Sequence, residues 1–245
     1  MPPRNVLVMD RPEGEWHPFL EEFFEDTQTC PQFAQSTEKV NEFFQQGKFE
    51  IVFINELLLS PVLSQKFSVL RQSQEQVRFF RIGNVSNQQK FFSYDFKFEI
   101  IPSYYEFQRK LVECLPLPEM IHLHVVDDER ETGEVIREYF LSRKAPRFEV
   151  DVSYHGKEAL EKIKVKKPDI IILDLKMPVM NGREFYRVIQ EEGWHIPVIV
   201  FFDALYGEEI AEIMEWGRPA IVEKGAPLSR MPDMMALVKK MVYFA

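Results

Sequence analysis

The sequence predicts two α/β domains in tandem, each a five-stranded parallel sheet flanked by helices. Three observations carry this. Short apolar runs alternate with amphipathic stretches along the whole chain, five strand-like runs occur in each half in the same order, and 245 residues suit two domains of about 120 better than one.

In the first half the strand-like runs fall at residues 5–9, 29–34 (weakly), 50–54, 78–82 and 97–101. Its helices are less distinct. Sixteen of the chain's 22 phenylalanines precede residue 119, so this core is expected to pack differently from that of the second half. The segment Leu115-Pro116-Leu117-Pro118 ends a helical pattern and cannot extend it, because proline lacks the backbone donor and restricts the residue before it. The linker is placed there, giving domains 1–118 and 119–245. In the second half the strands read at 122–126, 148–154, 169–173, 197–202 and 220–223. The helices read at 131–143, 157–164, 183–192, 207–216 and 231–242, with Val135, Ile136, Tyr139 and Phe140 sharing one face of the first.

The hydrophobic fraction of 45% and charged fraction of 28% are those of a globular protein. A net charge of -9 without a basic run disfavours direct binding to nucleic acid or to an anionic membrane. No stretch approaches the roughly 20 apolar residues of a membrane helix, and Met1-Pro2-Pro3-Arg4 leads into the first strand without a signal-peptide pattern, so a cytoplasmic location is expected. Cys30 and Cys114 lack metal-ligand spacing and read as reduced, structural residues.

The chemistry lies where strands end. In an open parallel sheet, whatever follows the C-terminal end of a strand faces the binding crevice. Asp174 follows Ile170-Ile171-Ile172-Leu173, and Asp127-Asp128-Glu129 follows the first strand of the same half. Adjacent strands would bring three carboxylates together, and a hard divalent cation such as Mg²⁺ relieves their repulsion. Lys224 closes the fifth strand and arrives at the same edge. The loop from Lys176 to Asn181 then turns into a helix at Gly182, read as a residue chosen for backbone angles that others resist.

The ensemble Val125-Val126-Asp127-Asp128-Glu129, then residues 169–182, then Lys224 resembles the receiver domain of bacterial two-component response regulators. The resemblance covers residues 120–245 in spacing. It implies a flavodoxin-like sheet of order 2-1-3-4-5, Asp174 as phosphoacceptor, and a metal held by Asp127, Asp128, Asp174 and the Lys176 carbonyl, with Lys224 on the phosphoryl group. Taken singly each aspartate would read as a cap or turn residue.

Departures from the family pattern concern switching. The Thr or Ser ending the fourth strand falls on Phe202, or with a one-residue slip on Asp203, and neither offers a neutral hydroxyl. The switch aromatic on the fifth strand is Ile221. In the first half the acceptor position is Asn55, which has no carboxylate to attack phosphorus. There the acidic pair becomes Asp10-Arg11, with Arg11 set to fill the vacant metal site, the hydroxyl position falls near Ile82, and the lysine position, before Pro102, is Ile101. A degenerate receiver is expected there.

The leading expectation is a phosphorelay protein, taking its phosphoryl group from a histidine kinase or phosphotransfer protein and acting through contact with a downstream protein or as a homodimer. No independent turnover is expected. The alternative is a phosphorylation-independent scaffold, which Phe202 favours. A phosphohydrolase would carry a second aspartate where Lys176 stands. A nucleotide-binding domain would need a glycine-rich turn after a strand, which neither half provides.

Overall fold

Four consecutive β-branched or leucine side chains make Ile170-Ile171-Ile172-Leu173 a strand suited to burial on both faces, and all four are buried. Ile170 and Ile172 point into one apolar layer, Ile171 and Leu173 into the opposite one. That alternation places a sheet between two layers of helices.

The computed structural model describes residues 4–27, 29–46, 48–73, 76–83, 92–202, 207–224 and 227–244. The chain divides into two units, residues 1–116 and 117–243.

The first unit runs β1 Val6–Met9, α1 Trp16–Phe24, β2 Gln32–Ala34, α2 Thr37–Gln46, β3 Ile51–Asn55, α3 Pro61–Ser73, β4 Arg78–Ile82, β5 Phe96–Phe98 and α4 Tyr104–Glu113. Its strands are all parallel, in the order β2-β1-β3-β4-β5. One face packs Leu7, Met9, Val52, Ile54, Phe67 and Phe79 together. An aromatic cluster forms from Phe107 of α4, whose ring lies 4.8 Å from Phe23 and 4.7 Å from Phe98, with Phe53 stacked 5.2 Å from Phe80. The abundance of phenylalanine is thus spent on ring-to-ring packing. Ser103 caps α4 by accepting the Glu106 N–H.

The second unit runs β6 Met120–Val126, α5 Arg130–Leu141, β7 Arg147–Ser153, α6 Gly156–Val165, β8 Ile170–Leu173, α7 Gly182–Glu191, β9 Val198–Phe202, α8 Gly207–Trp216, β10 Ala220–Glu223 and α9 Pro227–Phe244. The parallel order is β7-β6-β8-β9-β10. In both units the first strand sits between the second and third, as the 2-1-3-4-5 order requires. Ile136 and Phe140 of α5 pack with the Ile170 and Ile172 layer, and Ala159, Ile163, Phe185 and Ile189 of α6 and α7 with the other.

Three boundaries differ from the sequence reading by three residues or more. The second strand starts at Gln32 and the fifth spans Phe96–Phe98 instead of 97–101. The last helix begins at Pro227, not residue 231, and carries Pro232 internally. Proline suits a first helical turn, where its missing N–H is not needed, so Pro227 marks a start that a breaker-based reading passes over.

Candidate functional site

Backbone pairing delivers the acidic residues to one rim. Asp174 N–H donates to the Val126 carbonyl (2.8 Å) and Asp127 N–H to the Ser153 carbonyl (3.0 Å), so both aspartates leave their strands at the same level. Each then accepts a bond from its own loop: Asp127 Oδ1 from the Glu129 N–H (3.0 Å), Asp174 Oδ2 from the Lys176 N–H (3.2 Å). Lys224 follows β10, where its N–H donates to the Phe202 carbonyl. Its Nζ lies 3.0 Å from Asp127 Oδ2 and 3.2 Å from Asp174 Oδ1, all three side chains being nearly inaccessible to solvent. The ammonium also stands 5.7 Å from the centroid of the Phe201 ring.

Asp128 is exposed and completes the group: one carboxylate oxygen from each of Asp127, Asp128 and Asp174 lies within 4.8 Å of the others. Three carboxylates face one ammonium, an excess of two negative charges when all are ionised. Burial pushes the Asp127 carboxyl up to about 6, only partly offset by Lys224, with Asp174 adding to the rise. Burial likewise raises Asp174, with Lys224 opposing and Asp128 reinforcing. Burial pulls the Lys224 ammonium down, but Asp127 and Asp174 together hold it above its ordinary value. An all-oxygen donor set with uncompensated negative charge and one solvent-facing member fits a divalent hard cation. Asp127, Asp128 and Asp174 would hold Mg²⁺.

Gly182 serves a different purpose from the one read in the sequence. Its backbone angles are not of the left-handed kind, and instead a Cβ there would collide with the Asp174 carbonyl oxygen and the Leu175 Cα. The start of α7 therefore packs directly against the acceptor's own main chain, where Asn181 and Glu184 form a reciprocal capping box (2.9 and 3.3 Å). The positive φ in this loop belongs to Val179 (67°), an exposed residue. Nothing in the local sequence marks it.

Phe202 is half-buried and packs against the layer of Ile171, Leu173 and Ile213. Ile221, on β10 opposite Val200, is also half-buried. Asp203 lies outside the described residues.

The first unit repeats the backbone of this site with altered chemistry. Asn55 Oδ1 accepts the Leu57 N–H at 3.2 Å, as Asp174 does from Lys176, while Asn55 Nδ2 donates to Asp10 Oδ1 at 2.9 Å. The amide thus serves the buried Asp10 where Lys224 serves Asp127. Arg11, the counterpart of Asp128, is exposed as Asp128 is, and among the described residues its side chain forms no ion pair. Register also corrects the counted positions. Asn55 is level with Ile82 and Ile82 with Phe98, as Asp174 would be level with Phe201 and Phe201 with Val222. The counterpart of Phe202 is thus Gly83, one beyond the buried Ile82, and that of Lys224 is the exposed Ile100 rather than Ile101. Counting back from Pro102 misplaced it because β5 ends early.

Part of the chain matches known proteins. The response regulator receiver domain family matches residues 123–236. The chain is 40% identical over 81 residues to a protein-glutamate methylesterase/protein-glutamine glutaminase of Bacillus subtilis, covering 33% of this chain and 22% of that protein. It is 34% identical over 101 residues to the transcriptional regulatory protein LnrK of the same organism, covering 40% of this chain and 44% of that one. The chain thus spans less than half of either relative. Among solved structures, the response regulator domain of Thermotoga maritima CheB aligns with 50% of this chain and 96% of its own at 23% identity and a TM-score of 0.46. The Mn(2+)-bound form of response regulator Rcp1 aligns with 50% of this chain and 94% of its own at 18% identity and a TM-score of 0.45. Residues 123–236 belong to the response regulator receiver domain family.

Proposed function

We propose that Asp174 accepts a phosphoryl group from a phosphohistidine of a histidine kinase or phosphotransfer protein, in the bacterial cytoplasm, and that the phosphorylated unit acts by contact with a downstream protein. The observation that carries this is the convergence of Asp174 with Asp127, Asp128 and the Lys224 ammonium, 3.2 Å from Asp174 Oδ1. An Asp174 oxygen forms the new bond to phosphorus, the phosphorus–nitrogen bond of the donor breaks, and the departing imidazole nitrogen takes up a proton. Lys224, already against Asp174, neutralises charge on the arriving phosphoryl oxygens. Mg²⁺, when bound by Asp127, Asp128, Asp174 and the Lys176 carbonyl, supplies further positive charge there. No independent turnover is proposed.

Residues 1–118 act as a degenerate receiver, for binding or homodimerisation, because Asn55 lacks a nucleophilic carboxylate and Ile100 stands where an ammonium is needed. Phe202 favours a second reading, a scaffold indifferent to phosphorylation, since a phenyl ring cannot donate a hydrogen bond to the acyl phosphate. Beryllofluoride with Mg²⁺ separates the two. A response in wild type that disappears in Asp174→Ala supports the acceptor, while identical behaviour of both proteins supports the scaffold.

A further inference from the structure

The end of the second sheet remote from Asp174 is rich in cations, although the carboxylates Glu119 and Asp169 are exposed there too. Here Met120 is the register partner of Arg147, whose N–H donates to the Glu119 carbonyl at 2.9 Å. The end of α6 reaches the same place: Lys166 pairs with Glu149 of β7 at 2.5 Å, and the Lys167 carbonyl lies 3.4 Å from His122 Nδ1 of β6. Lys144, Arg147, Lys164 and Lys167 are all exposed, and among the described residues none of them forms an ion pair. Val165, 89% exposed, adjoins Lys164 at the end of α6, and Met120, 46% exposed, is opposite Arg147 in register. Single exposed aliphatic residues need no explanation, but two set beside unpaired cations on a chain of net charge -9 do.

We propose that this basic and aliphatic end of the second unit is a docking surface for an acidic protein segment with aliphatic side chains between its carboxylates. Four unpaired cations supply the charge complementarity, and Val165 and Met120 the apolar contact that holds register. A nucleic acid would find no exposed aromatic ring among these residues on which to stack a base. An anionic bilayer would meet the repulsion of the chain's net charge over a much larger area than a peptide does. The surface lies at the opposite strand ends from Asp174 and shares no residue with the acceptor site.

Fluorescence anisotropy of a labelled synthetic peptide of alternating Glu and Leu, titrated with the full chain, tests this. Saturable binding is expected, weakened about tenfold by Arg147→Glu with Lys164→Glu, and weakened also by Val165→Ser and by added salt. Lys97→Glu in the first unit should leave binding unchanged, and because all these side chains are exposed, unaltered thermal melts confirm that folding is intact. Absence of saturable binding, equal binding by the Arg147→Glu/Lys164→Glu protein, or tighter binding to a labelled DNA duplex or to phosphatidylserine vesicles would overturn the proposal.

Discussion

Replacing Lys224 with Met keeps an apolar stem of similar length and removes the ammonium that touches both buried aspartates. At 3.0 and 3.2 Å, and with an effective dielectric of about 20, each contact is worth about 5 kcal/mol of gross Coulomb energy. Much of that offsets the desolvation of the ammonium itself, so the net loss of folding stability at pH 8 should be about 3–5 kcal/mol, the usual cost of stranding buried charge. The loss must depend on pH. Asp127 holds its proton to about pH 6 in the fold against 3.8 as its reference, so the folded state binds more protons between these values and stability falls as pH rises through them. Without Lys224 that fall extends to higher pH, and the variant should approach wild type at pH 5 and diverge from it at pH 8. Urea unfolding followed by the fluorescence of Trp194 and Trp216 measures this. A pH-independent loss, or one under about 1 kcal/mol at pH 8, would refute the reasoning.

The opposite pH response is expected of His124, fully buried on β6 with Nε2 2.9 Å from Ser153 Oγ. Burial lowers its pKa to about 4, so the unfolded state binds the extra proton and stability falls by up to about 3 kcal/mol as pH drops from 6.5 to 4; His124→Leu should flatten this acid limb in urea titrations. Asn55→Asp sets a second carboxylate against buried Asp10 with no lysine to join them, and should destabilise the first unit by about 2–4 kcal/mol by calorimetry without creating a phosphorylation site. Gly182→Ala drives a methyl group into the Asp174 main chain, and should cost about 1–3 kcal/mol and weaken Mg²⁺ binding by titration calorimetry.

The second unit was legible because its inner strands β6, β8 and β9 are buried on both faces and read as largely apolar runs, while the edge strands β7 and β10 still keep apolar residues. Each site residue follows such a run directly, so strand order alone brings Asp127, Asp174 and Lys224 to one rim. What escaped the sequence were relations that depend on packing between segments. Gly182 announces a glycine but not its cause, since the crowding comes from a carbonyl eight residues earlier. The exchange of an ammonium for the Asn55 amide beside Asp10 cannot be read at either position alone, because the partners are 45 residues apart. The misplaced lysine position in the first unit has a similar origin: β5 is only three residues long, and a proline downstream is a poor ruler when the strand ends early.

The central claim is that Asp174 is a phosphoacceptor and Asn55 is not. Intact-mass and peptide mass spectrometry after incubation with acetyl phosphate and Mg²⁺ tests it directly. The account predicts a single base-labile, hydroxylamine-cleavable phosphoryl group on the peptide containing Asp174, absent in Asp174→Asn and when Mg²⁺ is chelated. A phosphoryl group on residues 1–116, or one on the second unit that survives loss of Asp174, would contradict it.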